Sequence, residues 1–97
     1  MKQLTVYCSR DLEERVVNAL DHAGAEGFFR IGGSSGSKFL QPGVLPRTTS
    51  WDAIAFIVPA IDASDAQKIV DELEAFANAC DYQPCLRIVL SAVEQVW

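Results

Sequence analysis

The sequence predicts an α+β domain in which a four-stranded sheet carries two helices on one face. Three observations predict it. The segments run strand, helix, strand and then strand, helix, strand again, which makes two βαβ halves. The strand segments are short, rich in β-formers and bounded by turn residues. Between the halves lies a Gly/Ser/Pro stretch from Gly32 to Ser50, longer than the roughly 12 to 15 residues of an ordinary connection, so it reads as a functional or disordered loop. With 97 residues the chain makes one domain over 1–97, near the size at which partners often supply part of the burial.

Each element has a local reason. Leu4, Val6 and Cys8 share one face of the first strand and Thr5 and Tyr7 the other. Ser9 or Asp11 can cap the next helix, with Glu14 completing a capping box from Asp11. Leu12, Val16, Ala19, Leu20 and Ala23 form that helix's apolar stripe, and Gly24 stops it. Phe28 to Ile31 reads as the second strand. After the loop, Trp51 to Val58 is the third, closed by Pro59. Ser64 with Gln67 offers a second capping box, and Ala66, Ile69, Val70, Leu73, Phe76, Ala77 and Cys80 follow at helical spacing. Asp81 to Pro84 turns, Leu86 to Leu90 is the last strand, and Ser91 to Trp97 is a tail.

Composition excludes several classes. Hydrophobic residues make up 49% and charged ones 22%, a globular rather than disordered balance. Apolar runs such as Ala53 to Ala60 are too short to span a bilayer, and the alternating start has no signal-peptide core, so a cytoplasmic location is expected. With 8 basic against 13 acidic residues, the net charge of −5 repels a phosphate backbone, so nucleic acid is not an expected partner. The only ionisable side chains from Gly32 to Ser50 are Lys38 and Arg47, which makes the loop locally cationic on an acidic body. Three cysteines, an odd number, suggest reduced thiols.

Sheet burial predicts assembly. In the third strand Ile54, Phe56 and Val58 point one way and Ala53, Ala55 and Ile57 the other, while two helices cover one face only. An antiparallel sheet in a monomer normally shows a polar, solvated face. The second apolar face therefore predicts a closed homo-oligomer with sheets turned inward. The alternative is a monomer whose long loop folds under the sheet.

The candidate binding residues gather in and near the loop. Gly32, Gly33, Ser34, Ser35, Gly36, Ser37 and Lys38 form a run whose amides can make an anion nest, with Lys38 adding a point charge. It is not a P-loop, because Ser37 precedes Lys38 and Phe39 follows it. Anion binding by Lys38, Arg47 and Arg87 in a subunit cleft, a flexible loop tip, and direct docking of a partner all remain open.

Catalytic and metal patterns are weaker. Cys80 and Cys85 flank a turn without a second ligand pair, and Cys8 and Cys80 sit on apolar stripes, which suits core packing better than a structural zinc site. Cys8 and His22 would stand about 20 Å apart across the first helix, too far for a nucleophile and its base. Asp71, Glu72 and Glu74 read as a solvated helix face. The expectation is a protein that is not an enzyme. Trp51, at the base of the loop, reads as packing at a subunit contact, and so does Trp97, whose alternative role is to stack on a ligand ring.

The residues carry a family resemblance. Ile88-Val89-Leu90-Ser91-Ala92-Val93-Glu94-Gln95-Val96 resembles the last-strand pattern of the PII-like nitrogen-regulatory signal proteins, I-F-V-S-P-V-E-E-A/V. Leu12 to Leu20 resembles that family's first helix, Leu45-Pro46-Arg47 the L-P-K that ends its large mobile loop, and Val58-Pro59 the end of its third strand. The resemblance implies a ferredoxin-like βαββαβ fold with an antiparallel sheet, a homotrimer, and an anionic effector bound between subunits. The effector it points to is an adenine nucleotide, ATP, ADP or AMP. Occupancy would be reported by the 32–50 loop to a target such as a transporter or metabolic enzyme. The binding residues expected on this reading are Gly32, Gly33, Gly36, Ser37, Lys38, Arg47 and Arg87, with no metal.

The departures are specific. The family's G-D-G-K turn before the last strand is here Gln83-Pro84-Cys85-Leu86-Arg87, which keeps only the basic residue. The family's later R-x-R-T-G-E segment has no counterpart before Trp97, and the loop has no tyrosine for nucleotidylation. A CutA-like trimer that binds divalent metal is the runner-up. Acylphosphatase and ACT-like amino-acid sensors share only the general architecture, and Cys8-Ser9-Arg10-Asp11 lacks the glycines of an acylphosphatase phosphate loop.

Overall fold

The structure, a computed structural model, describes residues 1–39, 42, 43, 45, 48–76 and 85–97, and of 38, 39, 48 and 49 the backbone only. Its elements run β1 (Lys2–Ser9), α1 (Glu13–His22), β2 (Phe29–Phe39), β3 (Thr48–Ile61), α2 (Ala63–Leu73) and β4 (Leu86–Ala92). The four strands form one antiparallel sheet in the order β2-β3-β1-β4. That order is what two interlocked βαβ units produce when the second unit's first strand slots between the strands of the first. The expected α+β, ferredoxin-like βαββαβ fold is the observed one.

The alternation seen in the sequence sets the core. Leu4, Val6 and Cys8 of β1 and Ile54, Phe56 and Val58 of β3 are buried on the helix-covered face. Val16, Ala19 and Leu20 of α1 and Ala66, Ile69 and Leu73 of α2 close over them. Phe28 sets its ring edge against Phe56, with centroids 5.3 Å apart at 72°. Arg15 lies 4.3 Å over the ring of Phe76, in the 3-10 turn Glu74–Phe76 that follows α2.

The opposite face is open. Tyr7, Phe29, Ile31 and Val89 are each about half exposed or more, while Ala55 and Ile57 lie between them. Register places Phe29, Ile57, Thr5 and Val89 in one row across the sheet and Ile31, Ala55, Tyr7 and Arg87 in the next. The face is largely apolar, with Thr5 in its middle and Arg87 at its edge.

Several local expectations are corrected. Neither capping box forms: α1 is entered through a 3-10 turn at Arg10–Leu12, and Ser9 makes no side-chain cap, its buried Oγ having no partner among the described residues. Helix α2 begins at Ala63, ahead of Ser64, and Gln67 donates instead to Asp71 one turn on, at 2.9 Å. Pro59 does not end β3. The ladder with β1 shifts between Leu4↔Val58 and Lys2↔Ile61, and proline, which has no N–H to give, is tolerated at such an irregularity. Cys85 is disulfide-bonded and Cys8 is free, so the expectation of reduced thiols fails for Cys85. An odd count of cysteines still leaves room for a pair. The third cysteine, Cys80, lies outside the described residues, as do the predicted continuation of α2 and the turn before β4.

One ion pair ties the two helices together and gives a pH test. His22 Nδ1 lies 2.6 Å from Glu72 Oε1. The hydrogen bond and charge of Glu72 raise the His22 pKa above 6.5. The stabilisation this pair provides is therefore complete below about pH 6.5 and is lost as pH rises through the raised folded value. Both side chains are exposed, so the effect is small. An NMR titration should place His22 above its unfolded value in the native protein and return it to about 6.5 in Glu72→Gln. Equal values in the two proteins would refute the pairing.

Candidate functional site

The segment expected to be a loop is largely strand. β2 runs through Phe39 and β3 resumes at Thr48, with a continuous ladder from Ser34↔Ala53 to Phe39↔Thr48. Glycine and serine have low strand propensity, but an antiparallel partner supplies backbone hydrogen bonds whatever the side chain. The run from Gly32 to Lys38 is therefore an extended edge strand, interrupted by a bulge at Gly32 and Gly33. Among the predicted residues, Lys38 takes its place in the ladder opposite Thr49, and Arg47 lies outside the described residues.

A bulge at Gly32 and Gly33 controls this hairpin. The pairing shifts between Ile31↔Ala55 and Ser34↔Ala53, so Gly32 and Gly33 stand against the single residue Ile54. Gly33 has φ +70°, a left-handed value suited to glycine. A Cβ at Gly32 would come within 2.6 Å of an Arg30 guanidinium nitrogen. Arg30 is itself held by Glu13, Nε to Oε1 at 2.6 Å, and this hydrogen bond lowers the Glu13 pKa.

The bulge also decides what lies under Trp51. Continued without a shift, the Ile31↔Ala55 register would set Ser35 opposite Trp51; the shift sets Gly36 there instead. A Cβ at Gly36 would sit 2.7 to 2.9 Å from Nε1, Cε2 and Cζ2 of the Trp51 indole. The indole thus rests on the bare backbone of β2, in the place a side chain would need.

The result is a hollow of about 430 Å³ at the hairpin's root. Trp51, Gly36 and Ser37 form one side, Ile31, Ala55 and Tyr7 its sheet floor, and Arg87 its cationic edge. Arg87 is the cross-strand partner of Tyr7 at the start of β4. Of the predicted residues, Gly36, Ser37 and Arg87 are therefore brought together. Gly33 borders a smaller hollow of about 220 Å³ with Arg10 and Arg30. Tyr7, Trp51 and Ile31 were missing from the predicted site. Their signal was present in part, since Trp51 marks the base of the loop, but its position over Gly36 depends on a register shift that a single sequence does not reveal.

Cys8 and Cys85 also border the larger hollow. Burial, and then the charge of Glu13, raise the Cys8 thiol pKa to about 11, so it is neutral near pH 7 and a poor metal ligand or nucleophile. Among the described residues no group of three or more His, Cys, Asp or Glu side chains could hold a metal ion. Trp97 is 99% exposed and follows the end of β4 that pairs with Lys2, whereas the hollow lies at the Tyr7 end of the sheet. Within one chain Trp97 does not line it. No described helix is long and apolar enough to cross a membrane.

No family model matches the chain, and no curated protein does. Solved structures share its fold. CPII of Thiomonas intermedia K12, a nitrogen regulatory PII-like protein bound to ADP, AMP and bicarbonate, superimposes with TM-score 0.67 at 18% identity, over 99% of this chain and 94% of that one. A PII-like signalling protein of Thermus thermophilus gives 0.57 at 18% identity, over 93% and 81%. GlnK of B. subtilis, in complex with ATP, gives 0.68 at 5% identity, over 93% and 78%. The chain has the fold of the PII-like signalling proteins.

Proposed function

We propose that this chain, which has the fold of PII-like proteins, is a regulatory subunit rather than an enzyme. It binds an adenine nucleotide in a crevice between subunits of a homotrimer and signals occupancy to a partner protein through the β2–β3 hairpin. The observation that carries this reading is the hollow at the hairpin's root, where Gly36, Ser37 and Arg87 meet an apolar sheet floor. A cationic edge with an apolar floor suits a ligand that has both an anionic end and a flat, weakly polar end.

Three further points support it. The floor is continuous with the open face, through Tyr7, Ala55 and Ile31, so a second subunit on that face would close the hollow into a cleft. CPII and GlnK, which share the fold, are bound to adenine nucleotides. The hairpin that walls the hollow also projects from the sheet, so a ligand with different affinity for two hairpin conformations would shift their balance. The target, a transporter or metabolic enzyme on this reading, would sense that shift. The setting is cytoplasmic, where adenine nucleotides are abundant.

Calorimetric titration of the native assembly with ATP, ADP and AMP tests the reading. Binding is expected, and Arg87→Ala is expected to weaken it about ten-fold or more, the worth of one charge-assisted hydrogen bond to phosphate. No heat with any of the three nucleotides up to millimolar concentration would overturn it.

A further inference from the structure

The Trp51 indole packs against β2. It lies across the strand on Gly36, at the position left by the register shift at Gly32-Gly33, and it walls the hollow whose other edge is Arg87. A half-buried indole held this way presents a rigid aromatic surface with little rotamer entropy left to lose. We infer that Trp51 is the specificity-determining residue of this site: the nucleobase stacks on its indole while Arg87 takes the phosphate.

This rests on the nucleotide reading above and adds what that reading lacks, a way to recognise the base. Of the groups on the hollow's sheet floor Tyr7 is aromatic, while Ile31 and Ala55 bury a ring but do not orient it. An aromatic wall does, because stacking fixes the plane of the base. It also accounts for Gly36. Any side chain at that position would lift the indole from the strand and alter the width of the slot, so Gly36 acts through Trp51 as a positioning residue.

The experiment uses AMP and ribose 5-phosphate, which share a phosphate and differ by the base. In the assembled protein Trp51→Leu is expected to weaken AMP binding about ten-fold or more, to leave ribose 5-phosphate binding unchanged, and to be largely rescued in Trp51→Phe. In Trp97→Phe, where Trp51 is the sole tryptophan, AMP should quench the emission and ribose 5-phosphate should not. Undiminished AMP affinity in Trp51→Leu overturns the inference and leaves nucleotide binding standing. An equal loss for both ligands assigns Trp51 a structural role and overturns it as well. If Trp51→Leu fails to fold, the fluorescence arm decides, and absence of quenching where calorimetry shows AMP bound refutes stacking. A native protein that binds no adenine nucleotide removes both readings together.

Discussion

Phe56→Ala is expected to lower the unfolding free energy by about 3 to 5 kcal/mol, the range for removing a fully buried aromatic ring. Phe56 is wholly buried in a central strand, is paired to Val6 and Arg30 on its two sides, and carries the edge contact with Phe28. Its loss would leave a cavity under both helices. Because a domain of this size commonly holds only about 5 to 15 kcal/mol, the variant should unfold at a much lower urea midpoint. Val58→Ala, at the margin of the same core, should cost clearly less. A Phe56→Ala stability within about 1 kcal/mol of the native protein would mean that the ring is not the keystone of this core.

The second large effect concerns the open face. On the proposed assembly the native protein should sediment as a trimer and the double variant Phe29→Asp, Ile31→Asp as a single chain. Both residues are more than half exposed in the isolated fold, so the substitutions need not disturb the core. In an assembly that turns this face inward they would bury unpaired carboxylates, at a cost of several kcal/mol each, which disfavours association. The variant should keep the native circular dichroism and lose affinity for AMP, since Ile31 floors the hollow and the proposed crevice needs a second subunit. A native protein that sediments as a monomer at micromolar concentration would refute the assembly, and so would a variant that still assembles.

Legibility followed the range of the interactions. The apolar alternation of Leu4, Val6 and Cys8 and the helical stripe of Ala66, Ile69 and Leu73 announced the core, because strand and helix periods are properties of contiguous residues. Neither predicted capping box formed, since α1 is entered through a 3-10 turn at Arg10–Leu12 and α2 begins at Ala63, ahead of Ser64. Gly32 to Lys38 misled most. Glycine and serine describe a loop by propensity, yet the strand partner at residues 48–54 imposes extension on them.

What the chain determined by itself was the layer plan: periodic apolar positions require two helices on one side of a sheet and leave an apolar second face. What only tertiary structure decided was the site. Trp51 and Gly36 meet through a one-residue register shift, and Arg87 and Tyr7 meet across a ladder between residues 80 positions apart. Such contacts depend on how strands align in space, and alignment is set by the energy of the whole sheet rather than by any run of neighbours along the chain.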